Sequence, residues 1–431
     1  MFTKFLGKGT SGFDKQRVVA GAALAMAIAA SSARAAQVGD VFVIALENHN
    51  FTQPASFNSS INPIDGDPAA PFIQSLITPG NPNAAQTSYE TAYYQAGLGD
   101  HPSEPNYVWA EAGTNFNPTT PNAAGGGTST AGGPTSTTQG TINGTDITND
   151  NDPSAASGNI FAASFAANHL TGQLNNAGIS WKNYQEDYQY SSSPLVSASG
   201  TGGTHNGITV IPNAYNGTLQ YNYAVKHNPM AFFADTATQN VEQLSQLSTD
   251  LSTNSVGRYN WITPDQYNDM HSALSGGFTD PRTNIHYTGD QAEIAQGDNF
   301  LSIIIPEIEA SAAYKNNGAI IIWNDETEGA DNTTATGTEI VISPLAKGNA
   351  YASSVVTNHS SDIKTMEELL GLPQIDNPIP TSEVFATGGD ATVQGSNDLS
   401  DLFVAGAVPE PATFSLVGLG GLALLGRRRR A

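Results

Sequence analysis

The chain has 431 residues, no cysteine, and 39 acidic against 16 basic side chains. That balance argues against nucleic acid or an anionic lipid surface as a partner, because bulk attraction to phosphate needs the opposite sign. No disulfide supports the fold, so a chain this long relies on its apolar core or on metal.

Residues 1–35 read as an export leader. Lys4, Lys8, Lys15 and Arg17 precede an apolar run from Val18 to Ala30, and Ala33-Arg34-Ala35 suits a small-x-small cleavage site. The first strong strand follows, Val41 to Leu46, a continuous apolar run of the kind buried on both faces in a parallel sheet. It ends abruptly in Glu47-Asn48-His49-Asn50. In open α/β sheets ligands bind beyond the carboxyl ends of strands. A carboxylate and an amide oxygen there are hard ligands for a divalent cation.

Helical spacing is expected over Pro71–Leu76, Tyr107–Gly113, 159–176, Val241–Leu251, Asn299–Ser311 and Ile363–Leu370. Strands are expected at Ile179–Tyr184, Tyr259–Thr263, Ala319–Trp323 and Glu339–Ser343. Residues 114–157, rich in Gly, Thr, Asn and Ser, read as a long insertion, and 376–407 as a loose spacer. The alternation of strands and helices predicts an α/β fold, a three-layer α/β/α sandwich on a mostly parallel sheet, formed by residues 36–375. Between leader and tail, seven basic residues face 37 acids.

Residues 408–431 carry a second address. Val408-Pro409-Glu410-Pro411 leads into the apolar stretch Ala412–Gly426 and then Arg427 to Arg430. This tail resembles the PEP-CTERM sorting signal of Gram-negative bacteria. The resemblance implies an exosortase-type partner, a transient inner-membrane anchor formed by the apolar stretch as a membrane helix, cleavage, and delivery to the cell surface or exterior. Fifteen apolar or small residues are few for a permanent span.

Five polar clusters recur beside strand ends: Glu47-Asn48, His101 to Asn106, Asp265 to His271, Asn324-Asp325-Glu326 and Asn358 to Ser361. Their order and wording resemble the phosphoesterase family of bacterial acid phosphatases and phospholipases C, in the alkaline phosphatase superfamily. The phrases run from Val41 to Pro373 and include His101-Pro-Ser-Glu-Pro-Asn106, Trp181-Lys-Asn-Tyr-Gln-Glu186, Lys226-His-Asn-Pro229 and Trp323-Asn-Asp-Glu326.

The resemblance implies a phosphate-ester substrate and a divalent metal ion (Ca²⁺, Mg²⁺, Mn²⁺ or Zn²⁺). Ser103 would be the nucleophile, with Glu47, Asn48, Asp325 and Glu326 as metal ligands. Asp265 would orient a histidine or help hold a second ion. Asn106 would hold a phosphoryl oxygen, and His101, His227, His271 and His359 would contact phosphate or protonate the leaving oxygen. A phosphomonoesterase is placed ahead of a phospholipase C. The alternative class is a surface or matrix binding protein on an inactive phosphatase-like fold. The presence of Ser103 together with every carboxylate opposes it. A cysteine-derived formylglycine sulfatase is excluded by composition.

Overall fold

A computed structural model describes residues 36–57, 60–95, 102–114, 167–328, 334–375, 377 and 393–409. The leader, nearly all of the 114–157 insertion, His101 and the tail after Pro409 lie outside the described residues.

The central sheet has eight strands: β1 (Val41–Leu46), β2 (Thr87–Glu90), β3 (Trp181–Gln185), β4 (Val241–Gln243), β5 (Tyr259–Thr263), β6 (Ala319–Asn324), β7 (Glu339–Ile342) and β8 (Tyr351–Ser353). Their spatial order is β8-β2-β7-β6-β1-β5-β3-β4. Only the pairings of β7 with β6 and with β2 are antiparallel, so one strand runs against the rest. The two strongest apolar runs, β1 and β6, lie side by side at the centre, where both faces are covered and every residue of each is buried.

Alternation along the strands divides the core. Phe42, Ile44, Leu46, Ile262, Ile320 and Ile322 face α1 (Pro71–Ile77), α4 (Gln246–Thr253) and α5 (Asp290–Ala310). Val43, Ala45, Trp261, Ile321 and Trp323 face α2 (Ser103–Ala112), α3 (Leu170–Ala177) and α6 (His359–Leu370). The expected three-layer α/β/α sandwich with a mostly parallel sheet is therefore the fold.

Two expectations need correction. Val241–Leu251 is not one helix: Val241 pairs with Asn183 as the sheet's edge strand, and the helix begins at Gln246. Asn240, in the left-handed region at φ 53°, turns the chain into that strand. The stretch expected as a spacer is, in its described part, folded onto the domain. Val393, Leu399, Leu402 and Phe403 are buried in the core beside α6. Val404 N–H donates to Leu345 O at 2.9 Å and Val38 N–H to Ala407 O at 3.2 Å. Scattered apolar residues without a period carry no element signal, yet each finds a place on the sheet's flank. Among the described residues no helix is long and apolar enough to cross a membrane. The apolar stretch Ala412–Gly426 lies outside them.

Candidate active site

Strand register builds the site. Leu46 is the Cα partner of Asn324 at the ends of β1 and β6. Glu47 and Asp325, one residue beyond, are thereby neighbours, and Asp325 N–H donates to Leu46 O at 3.2 Å. Asn48 then turns the chain at φ 48°, a left-handed conformation that asparagine tolerates. Its backbone N–H donates to Asp325 Oδ1 at 3.0 Å.

Ser103 is the first residue of α2, a helix that follows extended Pro102 and stops at Gly113, whose φ of 69° forms a left-handed cap. Its hydroxyl donates to Glu47 Oε2 at 2.9 Å. Asn106, three residues on, lies on the same helix face, and its Nδ2 is 3.4 Å from Glu326 Oε2. Ser103, Asn106, Glu47 and Asp325 are all essentially inaccessible.

His227 comes from the short turn Val225–His227 and stacks on Tyr107 at 5.0 Å. Its Nδ1 is 3.0 Å from Asp269 Oδ2 and its Nε2 3.1 Å from Glu47 Oε1. The second pair is close but out of line for a hydrogen bond. Burial, with help from Lys226 and His271, holds the His227 pKa well below its ordinary value. A neutral ring has one N–H for two carboxylates. Asp269 is the residue the sequence reading missed, although it stands inside the phrase Asp265 to His271. Its carbonyl also accepts Glu47 N–H at 2.8 Å. Met270 beside it sits at φ 81° and is accommodated by Gly297 of α5, where a Cβ would overlap the Met270 side chain.

His271 is brought to the edge of this group. Its Nε2 is 3.3 Å from Lys226 Nζ, and one nitrogen lies within 4.8 Å of ligand atoms of Glu47 and His227. Burial first, then Lys226, pushes its pKa down to about 3. A cleft of about 250 Å³, lined by Ser197, Asn222 and Lys226 among others, lies beside this edge.

Two expected members lie apart. His359, first residue of α6, donates from Nε2 to Asn324 O at 3.1 Å and packs on Trp323. That nitrogen is taken up by the backbone at the end of β6, one residue before Asp325. Asp265 faces a different group. Its Oδ1 accepts Tyr267 and Asn268 N–H at 3.0 and 2.8 Å, and its own N–H donates to Glu186 at 2.9 Å. It therefore belongs with Glu186 and Asp187, not with the carboxylates around Ser103.

The electrostatics at the centre are those of buried, mutually repelling carboxyls, which a proton or a cation would relieve. Burial first, then the Asp325 charge, raises the Glu47 pKa well above its ordinary value. Burial and Glu326 do the same for Asp325. Glu47 Oε1, Asp325 Oδ2 and His227 Nε2 make no hydrogen bond among the described residues. Buried polar atoms are rarely left so. Three carboxylates, a backbone-anchored turn and a neutral imidazole fit a divalent ion bound through oxygen and nitrogen.

Carboxyls away from this centre give stability a pH dependence. Burial raises Asp362 and Glu186 to about 8 and Glu367 to about 7. Raised acids contribute stability that is complete below the unfolded carboxylate range and lost as pH rises through the folded value. The buried histidines with lowered values act in the opposite sense, but their contribution is complete above roughly pH 6.5. With chelator present, the melting temperature is therefore expected to fall between about pH 6.5 and pH 8.5. A rise over that interval, followed by calorimetry, would contradict the assignment.

The sequence matches the Phosphoesterase family over residues 84–373 and the PEP-CTERM protein-sorting motif over residues 407–430. No curated protein matches. A solved protein of the alkaline phosphatase superfamily from Vibrio parahaemolyticus is 10% identical, with 84% of this chain and 70% of that chain covered and a TM-score of 0.43. Ps i-CgsB is 11% identical, with 84% and 77% covered and a TM-score of 0.44. The family match includes Ser103, Asn106, His227, Asp269, His271, Asp325 and Glu326. Glu47 and Asn48 precede it and join those residues through the register of β1 with β6. With well over half of its length matched, the chain belongs to the Phosphoesterase family.

Proposed function

We propose that this protein is an exported, metal-dependent hydrolase of phosphate esters with Ser103 as its nucleophile. The observation that carries the reading is the Ser103 hydroxyl, 2.9 Å from Glu47 at the start of α2, beside Asp325. A serine hydroxyl needs activation to attack at neutral pH, and an adjacent carboxylate or a metal supplies it.

Glu47, Asn48, Asp325 and Glu326 are the residues that would hold the ion. When bound, a divalent cation lowers the serine pKa and neutralises phosphoryl charge. Glu47 Oε2 would accept the Ser103 proton as Oγ attacks phosphorus and the P–O bond to the alcohol breaks; water then hydrolyses the phosphoserine and the proton returns to Oγ. Ser103 opens α2, and the positive end of that helix's dipole would favour a phosphoryl group there. Asn106 Nδ2 donates to an equatorial oxygen, and Lys226 adds positive charge at the rim. Asp269 positions His227, while His271 holds Lys226, whose ammonium would contact the phosphate or give its proton to the leaving oxygen.

The sorting motif implies exosortase-type processing at the C-terminus. In this reading the leader 1–35 and the tail after about Val408 are removed, and the inner membrane is a transient stop. The packing of Val404 and Ala407 on the domain brings the fold up to the start of the motif.

The test is hydrolysis of phosphomonoesters, phosphodiesters and phosphatidylcholine by the purified mature region, before chelation, after it, and after restoring each divalent ion. Turnover of at least one class, lost with chelator and regained with metal, is expected. Absence of turnover on every class with every ion would refute the reading.

A further inference from the structure

A second group of ligating side chains lies on the other side of the β1 loop. His49 follows Glu47 by two residues and is buried. Its Nδ1 is 3.1 Å from the Glu47 carbonyl oxygen, which can only accept. The proton of the neutral ring is thereby placed on Nδ1, and the Nε2 lone pair points away from the backbone. It points at carboxylates. Nε2 is 3.4 Å from Asp290 Oδ1, and ligand atoms of His49, Asp290 and Glu293 all lie within 4.8 Å of one another. The Glu328 backbone is held by Asn50, one residue from His49, and its charge acts on both His49 and Asp290.

Three buried atoms are left without a hydrogen bond among the described residues: His49 Nε2, Asp290 Oδ1 and Glu328 Oε2. With the ring neutral all three are acceptors, and acceptors facing acceptors repel unless a proton or a metal cation lies between them. Two of the other carboxylate oxygens are held by donors. Asp290 Oδ2 accepts Asn62 N–H at 3.0 Å, and Glu293 Oε1 accepts Ala273 N–H at 3.0 Å. A backbone carbonyl on the far nitrogen of a histidine and hydrogen bonds on the spare carboxylate oxygens are what orients ligands around a metal. The 3.4 Å separation is longer than a charge-assisted hydrogen bond of about 2.7–2.9 Å. It matches the edge of a tetrahedron with metal bonds of about 2.1 Å.

We propose that His49, Asp290 and Glu293, with the Glu328 carboxylate beside them, form a second divalent-cation site, separate from the one at Ser103. One imidazole nitrogen among carboxylates selects Zn²⁺ or Mn²⁺ over Ca²⁺. Asp290 and Glu293 stand in the first turn of α5, and His49 stands on the loop that carries Glu47 and Asn48. The ion ties that loop to the helix, so its role is structural.

The experiment is equilibrium dialysis of the mature protein against Zn²⁺, and separately Mn²⁺, after chelation, with bound metal counted by mass spectrometry and the melting temperature measured alongside. Because His49→Ala opens a buried space and risks misfolding, the variant is Glu293→Gln/Glu328→Gln, at half-buried positions. Wild type is expected to bind two ions per chain. The double variant is expected to bind one and to lose part of the metal-induced rise in melting temperature, while Asp325→Asn keeps the ion that the double variant loses. If the double variant binds as many ions as wild type with unchanged affinity, the proposal is overturned. That result would leave His49 as a buried imidazolium bridging carboxylates. If wild type binds a single ion that Asp325→Asn spares and the double variant loses, this site stands and the metal reading at Ser103 falls.

Discussion

Ser103→Ala is expected to lower turnover of the best phosphate ester by about three orders of magnitude or more, with melting temperature nearly unchanged. The two halves of that expectation have separate causes. Ser103 occupies the first helical position of α2 and makes no side-chain cap, so truncation to alanine removes no helix-capping energy. Its hydroxyl hydrogen-bonds to Glu47, a group already raised in pKa by burial and by Asp325. Removing that donor takes away one contact from the carboxylate and leaves the backbone of α2 intact. The attacking atom itself is gone, and water in its place has none of the positioning that the start of α2 supplies. Steady-state kinetics with matched circular dichroism reads both halves. Activity within tenfold of wild type would remove Ser103 from the chemistry. Low activity with a collapsed melting curve would assign the residue a structural role instead.

The parts of this site that were legible in the sequence are those built on strands. Val41–Leu46 and Ala319–Trp323 are unbroken apolar runs, which only a strand covered on both faces explains. Their polar ends, Glu47 and Asp325, then have to emerge at one edge of a parallel sheet. The Ser103 phrase was legible as wording, through a family resemblance, but not its place at a helix start: the helix expected from Tyr107 begins at Ser103. What was not legible depends on turns. Asp265 and Asp269 are four residues apart in one polar phrase. Both Asn268 and Asp269 N–H donate to Asp265 O at 2.9 Å, a turn that sends the two carboxylates in opposite directions, one to Glu186 and the other to His227. Nothing in the residue types says which acid goes where. The partnership of Glu328 with His49 and Asp290 was hidden for the same reason, since three loops of distant sequence meet there. Val393, Leu399 and Phe403 were hidden because burial of isolated apolar residues leaves no period to read.

Asp325→Asn should weaken metal binding by about 100-fold or more and reduce turnover with it. Asparagine keeps the size of aspartate and still offers an oxygen to Asn48 N–H, which now lies 3.0 Å from Asp325 Oδ1. The turn after β1 therefore survives the change. What is lost is charge, at the position where Glu47 and Glu326 already press on Asp325. Uncompensated buried carboxylates are costly, so without metal the variant loses a repulsion and is expected to melt no lower than wild type. With metal the order reverses, because an ion that binds only the folded state stabilises it in proportion to its affinity. Melting curves of both proteins, in chelator and in excess divalent ion, should thus differ in sign between the two conditions. A catalytic metal held elsewhere would leave the loaded curves parallel and the affinity unchanged, and Asp325 would then be only the strand end that receives Asn48.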